Sequence, residues 1–242
     1  MSKELVGRTE LGELVGRLSQ GGLDRAERGR LLARLTRLLA TGARQAGARA
    51  ALTGRWLAEV VADVAPHVPV RDLATLQQHH GGLRGEALAE ELVRTASLAT
   101  AGIGAAGGAL SAVQFSAPPT LLAAPMQLAA ETVAVVAIEI KLVAELHVVH
   151  GRAPLLPQGQ LAAAYLASWA SREPVDVVSG PPALTAVLAA AARQQLRRRV
   201  ARRVGRNLST MAPFLAGAVA GAELNRRETR ALGEALVPAL RS

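Results

Sequence analysis

The sequence predicts an all-α protein, a multi-helix domain built around a central apolar helical hairpin. Three observations carry that expectation. From Thr95 to Ala130 there is no charged residue, and the run of Ala, Gly, Leu, Ser and Thr lacks the alternation of a strand. Prolines fall together at Pro118 and Pro119, where one helix must end and another begin, with Pro125 opening or kinking the second. Elsewhere apolar residues recur at helical spacing, as in Leu31, Leu32, Leu35, Leu38 and Leu39, with Arg30, Arg34 and Arg37 largely off that stripe.

The hairpin helices are read as about Glu86 to Gln114 and from Pro119 or Pro125 to Gly151, where glycine after His147 and His150 is a C-terminal stop. The first is glycine-rich, and Gly104 and Gly108 form a small-xxx-small pair that lets another helix approach closely. The second carries Glu131, Glu139, Lys141 and Glu145 scattered through an apolar run, so it is apolar nearly all round and belongs in a core or against a membrane. Full spanning is disfavoured, because each central Glu or Lys costs roughly 2.5–3.5 kcal/mol to insert.

Before the hairpin, Glu4 to Leu18 reads as a short amphipathic helix closed by Gly21-Gly22, and Asp24 has capping-box spacing to Glu27. Helical signal then continues past Trp56 to Ala65, with a break near Gly42 or Gly47, until Pro66 and Pro69 stop it. Asp72 caps a short helix through Gln78, followed by a His79-His80-Gly81-Gly82 loop. After the hairpin, residues 151–157 form a linker, Gln158 to Ser171 a helix, Glu173 to Pro182 a loop, Ala183 to about Leu208 a long helix, and Pro213 to about Leu240 the last helix, with Gly217 and Gly221 as a second small-xxx-small pair. Residues 1–85 are thus a helical extension packing on a core domain of residues 86–242.

Composition narrows the function. The net charge is +9, but residues 193–242 hold eleven arginines against three glutamates. Cysteine is absent, which excludes disulfides, thiolate catalysis and cysteine zinc sites. Aromatics are 2%, too few for a base-stacking platform on single-stranded nucleic acid. The N-terminal residues have alternating charges and no apolar core of a signal peptide, so the expected location is the cytoplasm.

The segment from Arg193 to Arg206 holds seven arginines and no acid: Arg193, Arg197, Arg198, Arg199, Arg202, Arg203 and Arg206. Leu196, Val200 and Val204, four apart, give it a narrow apolar stripe. A basic amphipathic helix of this kind suits an anionic membrane surface. A solvated face or a nucleic-acid phosphate contact would use the same residues, although no recognition signature supports nucleic acid. The two small-xxx-small pairs serve tight packing within one domain or self-association. His147 and His150 lack the spacing of a metal motif with Glu139 or Glu145, so no metal or other cofactor is expected. Lys141 and Glu145 are an obvious local pair four residues apart. No nucleophile elbow, Walker loop or dinucleotide fingerprint occurs, and no catalytic residue is assigned.

The run from Lys141 to Gly151, after a Gly/Ala-rich helix and a proline turn, resembles the EcsC family. So does the stretch from Ala212 to Asn225, followed by Thr229-Arg-Ala-Leu-Gly233. The resemblance covers roughly Glu86 to the C-terminus. It departs where members often carry an aromatic before the helix-ending glycine, since this chain has His150. The resemblance implies an all-helical, membrane-associated protein with no catalytic residue to carry over. The resulting expectation is a non-enzymatic cytoplasmic protein that meets the inner face of the cell membrane peripherally, with anionic lipid as its partner. The alternative is an adaptor or scaffold for a protein partner, such as a transporter subunit or a second copy. A third is an enzyme or carrier acting on lipid.

Overall fold

A computed structural model describes residues 2–20, 22–46, 55–114, 123–175, 194 and 215–241. Among these the protein is all-α: α1 Ser2–Ser19, α2 Arg25–Ala46, α3 Arg55–Val64, α4 Leu73–His79, α5 Gly85–Gln114, α6 Ala123–Val149, α7 Gln158–Ser171 and α8 Leu215–Arg241, with a 3-10 turn at Ala65–His67.

The helix ends follow from local chemistry. Asp24 accepts the Glu27 N–H at 2.7 Å and Asp72 accepts that of Thr75 at 2.8 Å, each satisfying an amide that the first turn leaves unpaired. α6 stops at Gly151, whose φ of 67° glycine adopts without a Cβ penalty. There Arg152 N–H bonds the His147 carbonyl and Gly151 N–H bonds that of Val148, the two bonds of a Schellman ending. Of the two break points expected, α2 passes straight through Gly42, which lies under the Trp56 ring, and its described residues end at Ala46, with Gly47 outside them. The turn expected at residues 115–119, most of the loop expected at residues 173–182 and nearly all of the helix expected at residues 183–208 lie outside the described residues.

The central element is α6. From Ala129 to His147 every residue except Glu131 is buried. This follows from a helix with no polar face: α1, α2, α3, α5, α7 and α8 all pack against it. The core is aliphatic, with Leu32, Leu35, Leu76, Leu88, Ile103, Leu142, Leu146 and Leu236 closed to solvent. α5 and α8 make the most extensive helix pair. A Cβ on Gly233 would collide with a Val93 methyl, so the small residue sets how closely they approach. No described helix is long and apolar enough to cross a membrane.

Candidate functional site

A buried helix that carries charge must find partners for it, and each polar residue of α6 is met by a different neighbour. Glu139, 3% exposed, accepts the Trp169 Nε1–H at 2.8 Å from α7 and the Thr229 Oγ1–H at 2.9 Å from α8. With its proton given to the carboxylate, Thr229 is left to accept from the Thr100 hydroxyl, 2.9 Å away on α5. Asn225 Nδ2 in turn donates to the Thr100 carbonyl at 3.2 Å. One carboxylate thereby ties α5, α6, α7 and α8 together.

Glu145 anchors a second cluster. Arg71, in the segment before α4, grips it with Nε at 2.9 Å to Oε1 and Nη2 at 3.2 Å to Oε2, a bidentate pair. Lys141 bonds the same carboxylate from one turn back on α6, the pair that the spacing of four suggests. Burial pushes the Lys141 ammonium below its ordinary range, with Glu145 opposing that shift. Arg71 Nη1 also donates to His79 Nδ1 at 3.2 Å.

His147 sits at the end of α6 with both ring nitrogens occupied. Nδ1–H donates to the Val143 carbonyl at 2.7 Å, and Nε2 accepts the Val175 N–H at 2.9 Å. That pattern requires the neutral ring, and burial lowers its pKa in the same direction. Tyr165 meets the ring edge-on at 5.5 Å between centroids. With no nitrogen to offer, His147 is a structural histidine. Burial, then Arg152, lowers the His150 pKa too. Among the described residues no group of three or more metal-ligating side chains comes together.

Glu131 lies over Gly107 of α5, where a Cβ would collide with the carboxylate. Gln127 Nε2 donates to both the Gly107 carbonyl at 2.5 Å and Glu131 at 3.0 Å. Gly104 meets α8 directly, since a Cβ there would stand 2.7 Å from the backbone carbonyl of Gly221. Gly108 is half-buried on α5, whereas Gly217 falls in α8 with its surroundings outside the described residues. Arg193, Arg197, Arg198, Arg199, Arg202, Arg203 and Arg206 all lie outside the described residues.

Thr229 on Glu139 has the hydroxyl-on-carboxylate arrangement of an activated nucleophile. Both groups are closed to solvent, however, and a substrate has no approach to them. Sequence reasoning found the charges of α6 and missed their distant partners. Arg71 lies 74 residues from Glu145, and Trp169 and Thr229 lie 30 and 90 residues from Glu139. The class of protein that the geometry defines is a helical bundle whose central helix is fixed by buried polar contacts. Comparison of the chain with protein-family models, with curated proteins and with solved structures finds no match.

Proposed function

We propose that the protein is a non-enzymatic, EcsC-like helical module that associates peripherally with an anionic membrane from the cytoplasmic side. The observation that carries this reading is the segment 193–206, seven arginines without an acid around Leu196, Val200 and Val204. Each basic residue close to an anionic bilayer contributes about 1 kcal/mol, so all seven together supply about 7 kcal/mol, association of order ten micromolar. Burial of α6 supports peripheral contact over insertion, because the most apolar helix is occupied inside the protein. Flotation of the purified chain with neutral and anionic liposomes, at low and high salt, tests it. Flotation with anionic vesicles alone, lost in salt and lost on reversing the charge of Arg197 to Arg203, is expected. Binding that survives that reversal removes the electrostatic reading.

A second reading is an adaptor for a protein partner or a second copy of the chain. It rests on apolar side chains left in water, Leu155 at 97% and Val219 at 72% exposure. A chain that stays monomeric and captures no crosslinked partner counts against it.

A further inference from the structure

The segment from Val70 to Arg84 runs from Glu145 on α6 to Glu91 on α5 as a strap with few fastenings. Its helix, α4, packs extensively against none of the other described helices, and Leu76 is its one buried side chain. After it come Gly81 and Gly82, with φ of 65° and 81°, a turn in which the backbone can re-hinge at little cost. The near end is held by the fork of Arg71 on Glu145. Glu145 does not depend on that fork, because Lys141 neutralises it from within α6. Arg71 can therefore depart into water without stranding a buried carboxylate.

His80 fastens the far end. Its side chain is 10% exposed, and Nδ1 lies 3.9 Å from Glu91 Oε1. Nε2 is buried with no hydrogen-bond partner among the described residues. The nearby carboxylate favours the tautomer with its proton on Nδ1, which leaves Nε2 a bare acceptor. Acid would put a second N–H there, a buried donor with nothing to receive it. The charged groups facing the ring are Arg71 and His79 on the strap, Glu91 on α5 and Glu145 on α6. Both carboxylates are already engaged, Glu91 by Arg94 and Glu145 by Lys141 and Arg71, so neither holds an unshared charge for an imidazolium. Burial, then Arg71, lowers the His80 pKa from the ordinary 6.5. The neutral ring's contribution to closure is therefore full above pH 6.5 and is lost as pH falls toward the folded value. We propose that residues 70–84 are an acid-released strap, latched by Arg71 on Glu145 and freed by protonation of His80, whose opening brings the Lys141–Glu145 pair of α6 to solvent. The strap lies within the described bundle and owes nothing to the basic segment at 193–206.

The test is hydrogen–deuterium exchange of the full chain, read by mass spectrometry between pH 7.5 and 5.5 with each rate divided by its intrinsic rate at that pH. Protection of the amides of residues 76–80 should lie below that of residues 133–147 in α6 at every pH, the mark of local opening. A histidine that protonates only in the open strap favours opening by about tenfold at one pH unit below 6.5, so protection at residues 76–80 should fall about three- to tenfold by pH 5.5. In His80→Gln that fall should vanish, and in Arg71→Gln protection should be low already at pH 7.5. A His80→Gln variant whose melting curve departs from the parent's is replaced by His80→Asn, which makes the same prediction. Strap protection equal to that of α6, protection that holds at pH 5.5, or a fall that persists without His80 overturns the proposal.

Discussion

Substituting either glycine at the α5–α8 crossing by alanine tests whether their contact is as asymmetric as the geometry says. A Cβ on Gly104 would stand 2.7 Å from the carbonyl carbon and oxygen of Gly221 and 2.8 Å from the Ala222 nitrogen. These are backbone atoms, so they cannot rotate aside as a side chain would. Reaching ordinary contact at 3.4 Å requires the helices to separate by about 0.7 Å. Thr100, one turn from Gly104, bonds Thr229 at 2.9 Å and receives Asn225 at 3.2 Å, and an opening of that size takes both beyond hydrogen-bond distance. Overpacking costs about 1–3 kcal/mol and each lost bond about 1 kcal/mol, offset by about 1 kcal/mol of better helix propensity. The net for Gly104→Ala is a loss of about 3 kcal/mol, a fall in Tm of roughly 6–12 °C for a chain of this size.

Among the described residues, a Cβ on Gly221 meets nothing closer than the Gly104 carbonyl oxygen at 3.9 Å. Gly221→Ala should therefore be neutral or stabilising by up to about 1 kcal/mol. Urea unfolding followed by circular dichroism and by tryptophan fluorescence measures both. Equal stability of the two variants, or greater loss at Gly221, refutes the packing argument.

Two further perturbations follow from the α6 contacts. His80, His147 and His150 all have pKa values lowered by burial from the ordinary 6.5, so the unfolded chain binds protons more readily than the folded one below that pH. Their contribution is present above pH 6.5 and is lost as pH falls from there toward the folded values. The urea midpoint should drop between pH 7.5 and 5.5, and a midpoint that holds or rises contradicts the assignment of buried neutral rings. Glu145→Leu should destabilise by about 3–5 kcal/mol, because it strands the buried Lys141 and Arg71 together, whereas Arg71→Leu should cost less because Lys141 still neutralises Glu145. Denaturant unfolding of the two variants checks the order, and a reversed order would place the neutralising role on Arg71.

How much was legible in the sequence depends on how far apart the interacting residues lie. The hairpin helices, the Asp24 and Asp72 caps, the Gly151 stop and the Lys141–Glu145 pair all involve residues within about five positions, where helix geometry fixes the neighbours. The partners of Glu139 and of Glu145 across helices involve loops of tens of residues, and periodicity carries no information about them. α6 was hardest to read because it has no polar side to orient it. The glycines of α5 show the same divide. Small-xxx-small spacing flags Gly104, but nothing local says that Gly107 makes room for Glu131 or that Gly102 lies beneath the Arg28 guanidinium. Burial lowers the Arg28 pKa, the mark of an arginine laid onto a helix instead of projecting into water.

The same contacts bear on what α6 can do. α6, 27 residues and about 40 Å long, has the length to reach across a bilayer but not the apolarity, and its polar groups are the reason. To leave the bundle, α6 would give up the Trp169 and Thr229 donors to Glu139 and the Arg71 fork on Glu145. It would then carry these carboxylates and Lys141 into hydrocarbon, at roughly 2.5–3.5 kcal/mol apiece on insertion scales. The Thr100–Asn225 contacts that join α5 to α8 would lose the carboxylate on which their network converges. A bilayer offers none of these replacements, so the folded bundle is the better solvent for α6. The membrane association proposed above must then draw on residues outside this core, and the basic segment at 193–206 has the charge to supply it.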